Sequence, residues 1–242
     1  MNLRTASFVA TVAAITSVLQ VNANPGVLFG DAIGDIDAGI ATGGGTLDLV
    51  SMEVSHTATD IQFKLTVNGN IGSTDWGKFM VGIANNKGYG TSSSDGWARP
   101  ITMSANGGMT NWFGSWVDSG GGAENRSNQT SWGLTGASYN GNFGNFALAA
   151  GAQSTITYGV SIASIGMSIG DTFSFDAYSS GGGSGDSAID ALANPSVAVT
   201  SWGQAYDSGT STSFSYTLTA IPAPGAIALV GLAGLVARRR KA

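Results

Sequence analysis

Apolar and polar residues alternate with a period of two along most of the middle of this chain. Ile61, Phe63, Leu65 and Val67 are separated by Gln62, Lys64 and Thr66, the pattern of a strand with one buried face, and Asn68-Gly69 then supplies a turn. Ile156, Tyr158, Val160 and Ile162 repeat the alternation. So do Phe173, Phe175 and Ala177, then Val197 and Val199, and finally Phe214, Tyr216 and Leu218. Thr46 to Ser55 and Lys78 to Ala84 read as strands buried more fully. Glycine triplets at 43–45, 120–122 and 181–183 punctuate them as loops, since none precedes a helix or carries a phosphate-binding lysine. No window between Asn24 and Pro222 combines helical periodicity with caps. The expected fold is all-β: nine or more strands in a two-sheet antiparallel β-sandwich, jelly-roll or immunoglobulin-like.

The two ends break this pattern. Pro222 and Pro224 bias Ile221 and Ala223 away from helix, so a helix can begin only after them. From Ala226 to Ala237 there is no charge. These twelve residues would span about 18 Å as a helix, short of the ~20 residues of a comfortable membrane span. Ala223 to Gly225 and snorkelling arginines would make up the difference. Arg238, Arg239, Arg240 and Lys241 follow, and bases of this kind stay cytoplasmic, leaving the body outside. At the other end, Arg4 precedes the mostly apolar run Ala6–Leu19, and Val21-Asn22-Ala23 fits a small-residue cleavage site.

The ordered set of a proline motif (Pro222, Ala223, Pro224, Gly225), a short apolar segment and a basic end resembles the PEP-CTERM sorting signals of Gram-negative bacteria. Alanine stands here where the namesake motif has glutamate. The resemblance implies an exosortase-type processing peptidase as partner, after handling by the export translocon and signal peptidase. It also implies transient insertion in the inner membrane, then arrival at the cell surface or outside. The expected organisation is a signal peptide at 1–23, a β-sandwich ectodomain at 24–220 and a sorting segment at 221–242. Within that last segment the motif occupies 222–225, a single transmembrane helix 226–237 and the basic tail 238–241.

Composition narrows the function of the body. All fifteen acids lie in it against five bases, a net charge of −10, so phosphate backbones would be repelled and nucleic acid is not an expected partner. The chain has no cysteine, so export brings no disulfides. The single histidine, His56, has no nucleophile elbow beside it and is expected at a surface or strand edge. Carboxylate pairs are the one catalytic kit left, and sequence cannot place two of them at working distance.

Two features point to ligands. Asp31, Asp35 and Asp37 fall on alternate positions of a glycine-containing loop, offering hard oxygen ligands for a structural calcium ion, though the remaining EF-hand positions are missing. Five of the six tryptophans lie between Trp76 and Trp132, among amides and hydroxyls. Indole faces suit the C–H surface of a sugar ring and nearby polar groups its hydroxyls, which makes Trp97, Trp112, Trp116 and Asp118 the candidate ligand residues. Large aromatics also fill cores, so at least two of the five are expected to be buried. Asn125-Arg126-Ser127 and Asn128-Gln129-Thr130 match the glycosylation acceptor pattern and are expected to mark an exposed loop.

Leu47–Ser55, Thr59–Val67, Asp75–Ile83 and Trp112–Asp118 are similar to strands of DOMON-like and family-nine-like carbohydrate-binding sandwiches. That resemblance implies binding of sugar or, in some relatives, haem. With one histidine available, sugar is the better expectation. Three functions follow in order: a non-catalytic surface or matrix protein that binds extracellular polysaccharide, a structural envelope or matrix component without ligand, and a polysaccharide-cleaving enzyme. Intact mass of the exported product is expected to show loss of residues 1–23 and of the C-terminal segment in an exosortase-positive host. In a host lacking the peptidase, only the N-terminal loss is expected.

Overall fold

The computed structural model describes residues 23–74, 76–90, 94–137 and 146–221. The expected signal peptide, except Ala23, and the sorting segment, except Ile221, lie outside the described residues. In chain order the strands are β1 (Val27–Gly30), β2 (Leu49–His56), β3 (Asp60–Val67), β4 (Lys78–Ala84), β5 (Ile101–Met103), β6 (Asn111–Trp116) and β7 (Gly122–Asn128). They continue with β8 (Trp132–Ala137), β9 (Ala147–Ala149), β10 (Ser154–Ser161), β11 (Thr172–Ser180), β12 (Asp190–Ala191), β13 (Tyr206–Ser208) and β14 (Phe214–Thr217). Helical structure among the described residues is limited to 3₁₀ turns of three or four residues.

The strands pair antiparallel in two large sheets. One runs β1-β2-β3-β10-β9; the other runs β12-β11-β4-β6-β7-β8, with β14 also on β11. The sheets pack face to face, as the alternation requires. Ile61, Phe63, Leu65 and Val67 of β3 face Phe79, Val81 and Ile83 of β4 and Phe173 and Phe175 of β11 in one buried cluster. At its centre the Phe63 ring lies 5.7 Å from Phe113 and 6.0 Å from Phe175. Tyr158 is fully buried here, and its hydroxyl donates to the Phe79 carbonyl at 2.8 Å, so burial leaves no polar group unpaired.

A second core, which the alternation does not announce, covers the other face of the larger sheet. Met80 and Ala84, Trp112 and Tyr178 point away from the first core and meet Leu47, Ile101, Met109, Ile189 and Val199. These come from long loops and from the two-stranded parallel pair of β5 and β13. Burial on both faces explains why every residue of β4 after Lys78 is buried, as the apolar run predicts. β2 differs from its expected full burial: Met52 and Val54 are buried while Ser51, Glu53 and Ser55 are not, because only one of its faces is covered. Val197 and Val199 form no strand; Val197 is exposed, and Val199 belongs to the loop layer.

His56 is a correction to its expected exposure. It is 2% exposed at the end of β2. Its Nε2 lies 2.9 Å from the Thr219 carbonyl, which can only accept, so Nε2 carries the proton and Nδ1 accepts from the Tyr216 hydroxyl at 2.7 Å. The His56 carbonyl also accepts from Asn24 N at 2.8 Å, so both ends of the body are fastened at one residue. The acceptor motifs at 125–130 are a second correction. Asn125 and Asn128 lie on β7, each buried by pairing within the larger sheet.

Gly114 on β6 lies under the Trp112 ring, where a Cβ would collide with three ring atoms. Gly114→Ala is therefore expected to cost about 1–3 kcal/mol through overpacking, read as a lower urea midpoint with an unchanged m-value.

Candidate functional site

The larger sheet aligns one row of residues across four strands. Ser180 on β11 is opposite Lys78 on β4, Lys78 opposite Trp116 on β6, and Trp116 opposite Gly122 on β7. Directly opposed residues share a face, so all four point to the loop-covered side. Gly122 has no side chain, and the Trp116 indole occupies the space where its Cβ would stand. The ring thus lies along the sheet with part of its surface open.

The loop Asp95–Arg99 builds the wall. Asp95 Oδ1 accepts from Trp97 N at 2.9 Å and Arg99 N at 2.8 Å, and Ala98 between them takes a left-handed φ of 60°. Such backbone strain in a non-glycine residue persists only where its surroundings fix it. Trp97 is held again at its tip, where Nε1 donates to Glu124 Oε1 at 2.7 Å; Arg126 Nε reaches the same oxygen at 2.6 Å. Its ring packs edge-on against Trp112 at 4.7 Å and lies 6.3 Å from Trp116. Burial pushes the Asp95 carboxyl up to about 6, against the amides and the Arg99 and Arg126 charges that lower it.

These elements border an open cavity of about 460 Å³, lined by Trp97, Arg99, Trp116, Lys78 and Asp118 together with Gly182 and Ser184. Lys78 Nζ lies 2.6 Å from Asp118 Oδ1. Arg99 Nη1 donates to Ser180 Oγ at 2.7 Å and to the Asp186 carbonyl at 3.1 Å, tying the wall to the loop that carries Gly182 and Ser184. Three of the four candidate ligand residues, Trp97, Trp116 and Asp118, are thereby brought together. The fourth, Trp112, is 0% exposed and supports Trp97 from below. It is the one fully buried member of the five clustered tryptophans; the other four are half-buried, where two or more were expected inside. Lys78, Arg99, Gly182 and Ser184 line the cavity too and were not among the candidate ligand residues. Arg99, two residues after Trp97, was the one with a local signal.

A separate acidic group forms beside the loop 31–48. One ligand oxygen from each of Asp31, Asp35 and Asp190 lies within 4.8 Å of the others. Asp31 Oδ2 and both oxygens of Asp35 have no hydrogen-bond partner among the described residues. Asp190 is anchored by Leu49 N at 2.7 Å and Ala191 N at 2.8 Å. Asp37 is not in this group; its Oδ1 accepts from Gly39 N in a turn. Two oxygens on one calcium ion, each at about 2.3–2.6 Å, stand at most about 5 Å apart, so Asp31, Asp35 and Asp190 have the spacing and the hard donors that this ion takes. Burial and the neighbouring carboxylates push Asp31 up to about 9 and Asp190 up to about 8; burial, then Asp48, raises Asp35.

Compared with protein-family models, curated proteins and solved structures, the chain finds no match in any of the three.

The raised carboxyls set a sign for stability. Between the ordinary value of 3.8 and about 9 the folded state holds protons that the unfolded chain releases, so stability falls as pH rises through that window. Chelator-treated protein is expected to show a urea midpoint that drops from pH 4 to pH 9. Asp31→Asn is expected to flatten that slope.

Proposed function

We propose that the protein is exported and that its body binds extracellular polysaccharide, without catalysis, through the cavity at Trp97 and Trp116. The observation that carries this reading is a half-buried indole seated over Gly122 and walled by a second indole, with charged and hydroxyl groups around the rim. An apolar floor with a few fixed polar groups is the usual make-up of a small-ligand site. Sugar recognition uses such a floor for the ring face and the polar groups for hydroxyls. The non-catalytic reading is supported by the carboxylates at the site. Asp118 is paired with Lys78, and Glu124 holds Trp97 and Arg126.

The sorting part of the proposal rests on the tail sequence. An exosortase-type peptidase acts on the segment after Ile221 while the chain is held in the inner membrane, and the body then resides at the cell surface or outside it. A structural calcium ion at Asp31, Asp35 and Asp190 belongs to the same proposal; it would offset the mutual repulsion of these carboxylates and join the N-terminal loop to β12.

Trp116→Ala removes the floor and is expected to weaken glycan retention at least about tenfold, some 1.4 kcal/mol, in a variant that still folds with a lower melting temperature, since the ring is half-buried. Binding measured on immobilised polysaccharides checks it. Full retention by this variant would remove the cavity from the proposal.

A further inference from the structure

Three of the five bases between residues 24 and 220 gather at this one cavity: Lys78, Arg99 and, behind Trp97, Arg126. Two of them are already neutralised. Lys78 meets Asp118 at 2.6 Å and Arg126 meets Glu124 at 2.6 Å. Arg99 is the exception. It is 4% exposed, yet it lines the cavity and forms no ion pair among the described residues.

The partners that Arg99 does have are neutral. Nη1 is shared between a hydroxyl and a carbonyl, and Nε has no partner among the described residues. Asp95 and Asp186 act on it through space without an ion-pair contact: Asp95 Oδ1 accepts from two amides, Asp95 Oδ2 has no hydrogen-bond partner among the described residues, and Asp186 Oδ2 accepts from Gly183 N at 2.8 Å. A guanidinium removed from water with its nearby carboxylates outside contact distance is a costly arrangement. Its planar fork matches a carboxylate, which can accept two parallel hydrogen bonds. The guanidinium also lies 5.6 Å from the centre of the Trp97 ring, so it is held beside the wall against which a sugar would rest.

We infer that the sugar bound at this cavity carries a carboxylate, as a hexuronate does, and that Arg99 receives that group while Trp116 takes the ring face. The inference rests on the sugar-binding reading above and names the class of sugar. Asp118 and Ser184 then serve the ring hydroxyls, and the Lys78–Asp118 pair keeps the second cation from competing for the anion. The site selects one acidic ring from its neighbours although the body as a whole is strongly acidic.

The test is an array of uronic-acid, sulfated and neutral oligosaccharides probed with the full exported protein. For any uronic-acid member retained, a matched ligand is prepared with its carboxyl reduced to the alcohol. Retention is expected on uronic-acid members, with at least tenfold weaker binding after reduction. Arg99→Gln is expected to erase that difference. Should that variant not fold, Arg99→Lys keeps the charge and loses the fork, and is expected to weaken the acidic ligand alone. Preference for neutral or sulfated members overturns the carboxylate assignment and leaves sugar binding standing. So does equal binding of acid and alcohol, or unchanged acid binding in the folded Arg99 variant. Retention of no glycan at all removes the underlying sugar reading as well.

Discussion

The larger sheet has two buried faces, and the site depends on how the second face is covered. A facing sheet covers the first, where its Phe63 meets Phe113 and Phe175. Loops cover the second, and a loop laid over an apolar sheet brings backbone amides out of water with no ladder to pair them. Aspartates supply the missing acceptors. Among the described residues nine aspartates accept a hydrogen bond from a backbone N–H, five of them at buried or part-buried positions. Asp176, fully buried and pushed up to about 7 by that burial, fastens Ala177 and Ala193, and takes a hydrogen bond from Ser208. Asp48, Asp95, Asp176 and Asp190 thus fasten backbone amides at buried or part-buried positions.

The tryptophan cavity is a consequence of that construction. Its floor belongs to the sheet, where the register of β4, β6 and β7 fixes Lys78, Trp116 and Gly122 in one row. Its walls belong to the loops, where Asp95 sets the turn that carries Trp97 and Arg99. Glycine at 96, 114 and 122 makes room for the indoles, since a Cβ at any of these positions would strike Trp112 or Trp116. A floor in the sheet with fastened walls would limit the ordering cost of a ligand, the general route by which a preformed site gains affinity.

The same fastening reaches the ends of the body. His56 binds Thr219 through Nε2 and Asn24 through its carbonyl, while Asn24 Nδ2 reaches Thr219 Oγ1 at 3.0 Å. The first and last described stretches of the chain are therefore joined at the end of β2 in the smaller sheet. The exposed apolar side chains Val27 and Leu28 lie on its edge strand β1.

Period-two alternation in β3, β10 and β11 and the unbroken apolar run of β4 were enough to specify an all-β body, because side-chain direction in a strand is a local property. The clustering of tryptophans with Asp118 was likewise visible, since these residues sit on or beside the strand and loop that make the cavity. Distance along the chain hid the rest. Asp190 joins Asp31 and Asp35 across more than 150 residues; Arg99 gains its role only when Ser180 and Asp186 arrive; and His56 is buried by Tyr216 and Thr219 from the far end. The covering of the second face had no periodic signature because loops obey no repeat. What each strand does was written in neighbouring residues; what meets across the sheets was decided by packing, which sums contacts that no local window contains.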